Sequence, residues 1–221
     1  MQKERHDSIR ITILYDNTIW KEGLQAGWGF SCLVDVYQKK ILFDTGGNGA
    51  ILLHNMRKLD IDPRDIDEIF LSHHHWDHAG GLQDILSINS IRVYIPASFP
   101  KPGGAEEIVK VKEPGMLHEN IYSTGELMGF EQSLAVKMKK GLVVIVGCSH
   151  PGVSRILKAC ASFGEPFALV GGLHGFTDFD LVKGLDLICP THCTQYKAMI
   201  RSLYPEKYVE GGVGRILEIE E

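Results

Sequence analysis

Apolar and polar positions alternate over residues 9–15 (IRITILY), and the β-branched content marks a strand. Residues 30–36 (FSCLVDV) and 40–44 (KILFD) predict two more strands, with Gln38-Lys39-Lys40 as the hairpin turn between them. The apolar period then lengthens. Ile51, Leu52, Met56 and Leu59 share one helical face behind Asn48, whose side chain suits an N-cap. Asp62-Pro63-Arg64-Asp65 ends that helix, and residues 66–72 (IDEIFLS) form a short apolar strand leading to His73. A short helix is expected from Gly80-Gly81-Leu82 onward, and a strand over residues 91–95 (IRVYI).

Residues 96–120 are rich in Pro and Gly and predict a surface excursion, either a lid, an oligomer contact or plain linker. Strands follow at 133–138, 142–146, 168–171, 187–189 and 213–219, with helices at 152–163, 179–185 and 194–203. Each half runs strands first and helix after. That order favours a two-layer sheet core with helices outside, and no linker divides residues 1–221 into two domains.

Composition narrows the class. Of 221 residues, 44% are hydrophobic and 23% charged, which excludes a disordered or fibrous chain. The net charge of −5 argues against nucleic acid as the partner. No apolar run reaches membrane-span length, and residues 1–10 lack a signal-peptide core, so a cytoplasmic protein without a membrane partner is expected. The five cysteines are odd in number and lack metal-knuckle spacing, as reduced thiols would be.

The chemistry concentrates in Ser72-His73-His74-His75-Trp76-Asp77-His78-Ala79-Gly80-Gly81, directly after an apolar strand. At this histidine content a chance HxHxDH has a probability of roughly one in a thousand. In extended chain, residues two apart point the same way, so His73 and His75 can share one metal while His74 points elsewhere. Asp77 and His78 are adjacent and suit a second position close by. Three more histidines follow predicted strands: His150, His174 and His192. Their placement suggests convergence on the same centre. Trp28 and Trp76 flank the motif in sequence and could wall a flat substrate.

On these residues the chain resembles the metallo-β-lactamase superfamily. Strand 30–36, Ile41-Leu42-Phe43-Asp44-Thr45-Gly46 and His73-x-His75-x-Asp77-His78 carry the resemblance, in the right order and over nearly the whole chain. Glu131-Gln132-Ser133-Leu134, Gly147-Cys148-Ser149-His150, Gly171-Gly172-Leu173-His174 and His192-Cys193-Thr194 resemble one subgroup. Its members are named metal-dependent hydrolases or, in methanogens, dihydropterin–ribofuranosylaminobenzene phosphate synthases. The resemblance implies an α/β fold, a single-domain αββα sandwich with a dinuclear site at one edge. It gives His73 and His75 to the first metal, and Asp77 and His78 to the second. His150 and His192 complete the expected ligand set, and Asp44 is a buried group orienting a metal-binding histidine.

The chain departs from the family pattern twice. The usual His-x-Pro-Gly-His before residue 133 is absent, and Glu131 stands nearby as a substitute. The usual Gly-Asp bridging carboxylate is replaced by Gly147-Cys148, so either Cys148 or His150 occupies that region, with His150 preferred. Two zinc ions are the expected cofactor, with iron or manganese as alternatives.

The expected function is hydrolysis of an ester, phosphoester, lactone or thioester of a small molecule by metal-activated hydroxide. Asp77 and His174 are the catalytic candidates, with His174 or a metal-bound water as proton donor to the leaving group. A dihydropterin synthase and a catalytically silent metabolite-binding module are the alternatives. A homo-oligomer is compatible with the sequence.

Overall fold

The computed structural model describes residues 8–220; residues 1–7, most of the polar stretch read for targeting, and residue 221 lie outside the described residues. Strands β1 (Ser8–Tyr15), β2 (Ser31–Val36) and β3 (Lys39–Phe43) form an antiparallel meander. The β2–β3 turn is Tyr37-Gln38, with φ of 50° and 61°. It sits one residue earlier than the lysines suggested, because two consecutive left-handed residues match the strand twist. Helix α1 (Gly49–Lys58) is capped by Asn48, whose side chain accepts from the Ile51 N–H. Its Leu52 and Met56 are buried, as the apolar period required.

β4 (Glu68–Phe70) leads into the short helices α2 (Trp76–Ala79) and α3 (Leu82–Ile88), and then into β5 (Arg92–Pro96). Residues 96–120 differ from the expected excursion. They contain β6 (Ile108–Val111) and β7 (Gly115–His118), each the edge strand of a different sheet. The segment carries the chain from one layer to the other, and its prolines and glycines lie mostly between the strands, where no ladder N–H is needed.

β8 (Ile121–Ser123), β9 (Leu134–Met138) and β10 (Gly141–Val146) are antiparallel neighbours. Helix α4 (Val153–Cys160) precedes β11 (Pro166–Gly172) and β12 (Leu187–Thr191), and α5 (Lys197–Leu203) precedes β13 (Ile216–Glu220). One sheet runs β13-β1-β2-β3-β4-β5-β6 and the other β12-β11-β10-β9-β8-β7.

Three apolar clusters explain the layering. The largest lies between the sheets and joins Ile11, Phe30, Phe43 and Phe70 to Val136, Val143, Ile145 and Val170. A second packs Leu52, Met56, Ile85 and Leu86 onto the outer face of the first sheet. The third packs Val153, Ile156, Cys160 and Ile200 onto the outer face of the other. The result is the expected αββα sandwich. Each fully buried Leu, Ile or Phe contributes about 1.5–3 kcal/mol. Both faces of each sheet are covered, so the central strands are apolar throughout, as in β10 (GLVVIV).

The topology aims six strands one way. β10, β11 and β12 are mutually parallel, β3 is parallel to β4, and β1 shares their sense because both β1 and β3 oppose β2. Asp16, Asn17, Asp44, the His73–His78 segment, Cys148, His150, His174 and His192 all follow the carboxyl ends of these strands. Ligand sites in α/β sheets collect at such ends.

Candidate metal centre

Four imidazoles share one arrangement: Nδ1 is tied to the protein, which leaves Nε2 as a lone-pair donor. His78 Nδ1 donates to Asp44 Oδ2 at 2.7 Å, with both side chains fully buried. Asp44 also accepts the Ser72 N–H on Oδ1 and the Ser72 hydroxyl on Oδ2, each at 2.7 Å. That hydroxyl, its proton committed to Asp44, receives His73 Nδ1 at 2.9 Å. One carboxylate therefore sets two histidines. His150 Nδ1 donates to Glu131 Oε2 at 2.8 Å. His192 Nδ1 meets Asn17 Oδ1 at 3.0 Å, and Asn17 Nδ2 donates to the His192 carbonyl at 3.0 Å, which fixes the amide orientation.

Metal-binding histidines characteristically give their second nitrogen to a carboxylate or carbonyl, which fixes the tautomer. The free nitrogens then face one another. His73 Nε2 lies 3.1 Å from His75 Nδ1, and His78 Nε2 lies 3.1 Å from Cys148 Sγ. His192 Nε2 is buried, has no hydrogen-bond partner and sits 3.3 Å from Asp77 Oδ2. A buried lone pair without a donor costs free energy unless something occupies it.

The donor atoms fall into groups within 4.8 Å of one another: His73, His75 and His150; Asp77, His78 and His192; and two further groups that share Cys148. These imidazole, carboxylate and thiol donors fit divalent zinc, iron or manganese. His73, His75 and His150 would hold one ion, and Asp77, His78 and His192 a second. Phe130 stands against all three histidines of the first group, with ring centroids 5.1–5.4 Å away, and gives that position one apolar side.

Electrostatics agree with this role. Burial, with the neighbouring imidazoles, lowers His73 to about 2 and His78 to about 3, so both rings stay neutral and able to ligate. Burial raises Glu131, and the His150 hydrogen bond outweighs it, bringing Glu131 to about 2. The Cys148 thiol hydrogen-bonded to Cys193 brings Cys193 down to about 6, while the same contact and burial push Cys148 up.

The structure places Glu131 outside the ring of free donors. Its Oε1 accepts the N–H groups of Cys148 and Ser149, and its Oε2 accepts the N–H and Nδ1 of His150. Glu131 is the buckle of the loop after β10, and His150 is the group it presents. Cys148 lies between the two positions. His174 is exposed on the rim, its ring 5.1 Å from that of His150. His74 turns away and packs on Phe99, as strand alternation required.

Sequence reasoning missed Asn17, Ser72, Phe130 and Cys193. Asn17 and Cys193 carried one available signal, their position at a strand's carboxyl end.

Backbone strain marks the same place. Asp44, Ser149, His174 and His192 adopt φ of 52°, 61°, 48° and 43°. Non-glycine residues held there cost about 1–3 kcal/mol each and cluster at functional sites.

Comparison with known proteins agrees. Residues 29–178 match the family model of the metallo-beta-lactamase superfamily. The chain is 28% identical to the 7,8-dihydropterin-6-methyl-4-(beta-D-ribofuranosyl)-aminobenzene-5'-phosphate synthase of Methanocaldococcus jannaschii, over 96% of this chain and 97% of that one. It is 30% identical to an uncharacterized protein of the same organism, over 95% of this chain and 100% of the other. The crystal structure of a metal-dependent hydrolase of the beta-lactamase superfamily superposes with a TM-score of 0.77 at 27% identity, covering 96% of this chain and 100% of that one.

Proposed function

The chain belongs to the metallo-beta-lactamase superfamily, and from that premise we propose that it is a hydrolase holding two divalent ions, zinc first. Its substrate is a small molecule with an ester, phosphoester, lactone or thioester centre. The observation that carries this reading is the shared tautomer of His73, His78, His150 and His192, whose Nδ1 atoms are all tied to protein acceptors.

When bound, the metal supplies Lewis acidity and lowers the pKa of a coordinated water toward neutrality. The chain's own residues do the rest. Asp44 and Glu131 hold the imidazoles in register. Phe130 gives the first position one apolar side. Asp77, kept ionised beside His78 and His192, accepts a proton or orients the attacking water through its carboxylate. His174, exposed on the rim, donates a proton from its imidazole to the leaving atom.

A synthase acting on a dihydropterin and a ribofuranosylaminobenzene phosphate is the second reading. It is favoured by the name of the 28% identical relative and by two exposed tryptophans beside the centre. Trp28 lies with its ring 5.1 Å from His192, and the Trp76 ring and the Trp28 carbonyl both crowd Gly47. Rings so exposed can stack on a flat aromatic substrate.

The test is turnover of a panel of aryl phosphodiester, phosphomonoester, lactone and thioester substrates by metal-loaded protein. Chelator-sensitive turnover of one class, lost in His75→Ala, is expected. No turnover of any class by the fully loaded protein would reject the hydrolase and leave the synthase reading.

A further inference from the structure

Within the metal centre proposed above, one pair of side chains has no part in the reaction as described: Cys148 and Cys193. Their sulfurs lie 3.3 Å apart, and both lie within 4.8 Å of a donor nitrogen of His192. We propose that Cys193 is a metal ligand, and that Cys148 and Cys193 join His192 at the second position, bringing two thiolates beside the Asp77 and His78 donors already placed there. The inference rests on the metal reading of the centre and specifies the donors of one half of it.

Three observations converge. The first is backbone geometry. Consecutive residues of an extended chain point to opposite sides. At His192 the chain turns to φ 43°, so His192 and Cys193 both face the centre. A left-handed non-glycine residue is unfavourable and persists where the surroundings require it.

The second is space. A Cβ on Gly172 would run into the Gly147 carbonyl oxygen and stand 2.8 Å from Cys193 Sγ and 3.3 Å from the Cys148 Cα. The strand end beside the two sulfurs is therefore cleared of side chain.

The third is unmet valence. His192 Nε2 is buried without a hydrogen-bond partner. Two sulfurs on one tetrahedral zinc, each at a bond of about 2.3 Å, lie ~3.8 Å apart. The pair reaches that spacing by small side-chain rotations. Thiolates select zinc, or the spectroscopic substitute cobalt, over magnesium and manganese. The soft pair therefore makes this position more selective than the imidazole triad at His73, His75 and His150.

The experiment is anaerobic titration of Co²⁺ into metal-free full-length protein kept reduced by a phosphine, followed by absorption spectroscopy. A near-ultraviolet sulfur-to-cobalt charge-transfer band is expected in the wild type. Its intensity should fall to about half in Cys193→Ser and vanish in the Cys148→Ser/Cys193→Ser double variant, since band intensity follows the number of coordinated thiolates. A full-strength band in Cys193→Ser overturns the proposal. So does cobalt that binds with ligand-field bands alone, an outcome that leaves the metal reading intact. Failure of cobalt to bind at all overturns the metal reading and this one with it.

A second measurement needs no variant. Zinc should slow alkylation of the partly exposed Cys193, since a coordinated thiolate is not free to attack, and chelator should restore it. Equal labelling with and without zinc overturns the proposal even if the serine variants do not fold.

Discussion

Replacing Asp44 with Asn should strip metal from the centre while leaving the fold in place. Asp44 is fully buried and accepts from the Ser72 N–H, the Ser72 hydroxyl and His78 Nδ1, all at 2.7 Å. An Asn keeps one acceptor oxygen, tolerates the φ of 52° and can still receive the Ser72 N–H. With that bond kept, its amide nitrogen takes the place of Oδ2 and faces both the Ser72 hydroxyl and His78 Nδ1. Facing His78, two donors oppose each other and the ring takes the other tautomer, with the proton on Nε2 where the metal bond should form. Loss of such an outer partner typically weakens metal binding 10–100-fold, or about 1.4–2.7 kcal/mol. Asp44→Ala should do more. It orphans the Ser72 N–H and His78 Nδ1 at about 1–3 kcal/mol each and adds left-handed strain of about 1–2 kcal/mol. The assay is competition for zinc against a chromophoric chelator at fixed pH, with circular dichroism as the folding control. Affinity within twofold of wild type for both equivalents in a folded Asp44→Asn protein would refute the tautomer argument.

Four other outcomes are expected. Glu131→Gln should weaken the first metal equivalent about 10–100-fold and spare the second, because Glu131 holds only His150 and its loop; equal loss at both would contradict that division, as read by metal titration. Stability of the metal-free protein should fall as pH drops below about 6.5. The unfolded His73 and His78 take up protons there, whereas the folded rings do not until about 2 and 3, respectively. The two rings together give up to about 2.7 kcal/mol per pH unit, measurable by urea melts between pH 6 and 4, and a flat profile would show that these rings are not held neutral. Gly172→Ala should lower the Tm of the metal-free and metal-loaded protein alike, since its Cβ would run into the Gly147 carbonyl oxygen as well as Cys193 Sγ; an unchanged Tm would show that this strand end has room for a side chain. Trp28→Ala should raise KM for an aromatic substrate severalfold with kcat little changed, and an unchanged KM would remove Trp28 from the binding wall.

Much of this molecule was legible in the chain because its strongest signals are local. The strands at residues 9–15 and 142–146, the Asn48 cap and the His73–His78 segment each declare themselves within a few residues. The edge strands Ile108–Val111 and Gly115–His118 did not, because both are short, lie among Pro and Gly and carry few fully buried residues. Their strand character comes from the neighbour they pair with. The same distinction holds at the centre. His73, His75, Asp77 and His78 share one motif, whereas Asn17 reaches His192 across 175 residues and Glu131 reaches His150 across 19. Glu131 was recognised as relevant by position, but its hydrogen bonds to the loop after β10 follow only from the fold. Cys193 was hidden because alternation would turn it away from a site that His192 faces. The left-handed backbone at His192 reverses that expectation.

The central claim is that the donors present two metal positions. Elemental analysis of purified, metal-replete protein tests it most directly, with His75→Ala and His192→Ala measured beside the wild type. The account predicts about two equivalents of zinc, iron or manganese in the wild type and about one in each variant. One equivalent or fewer in the wild type, or two retained in both variants, would contradict it.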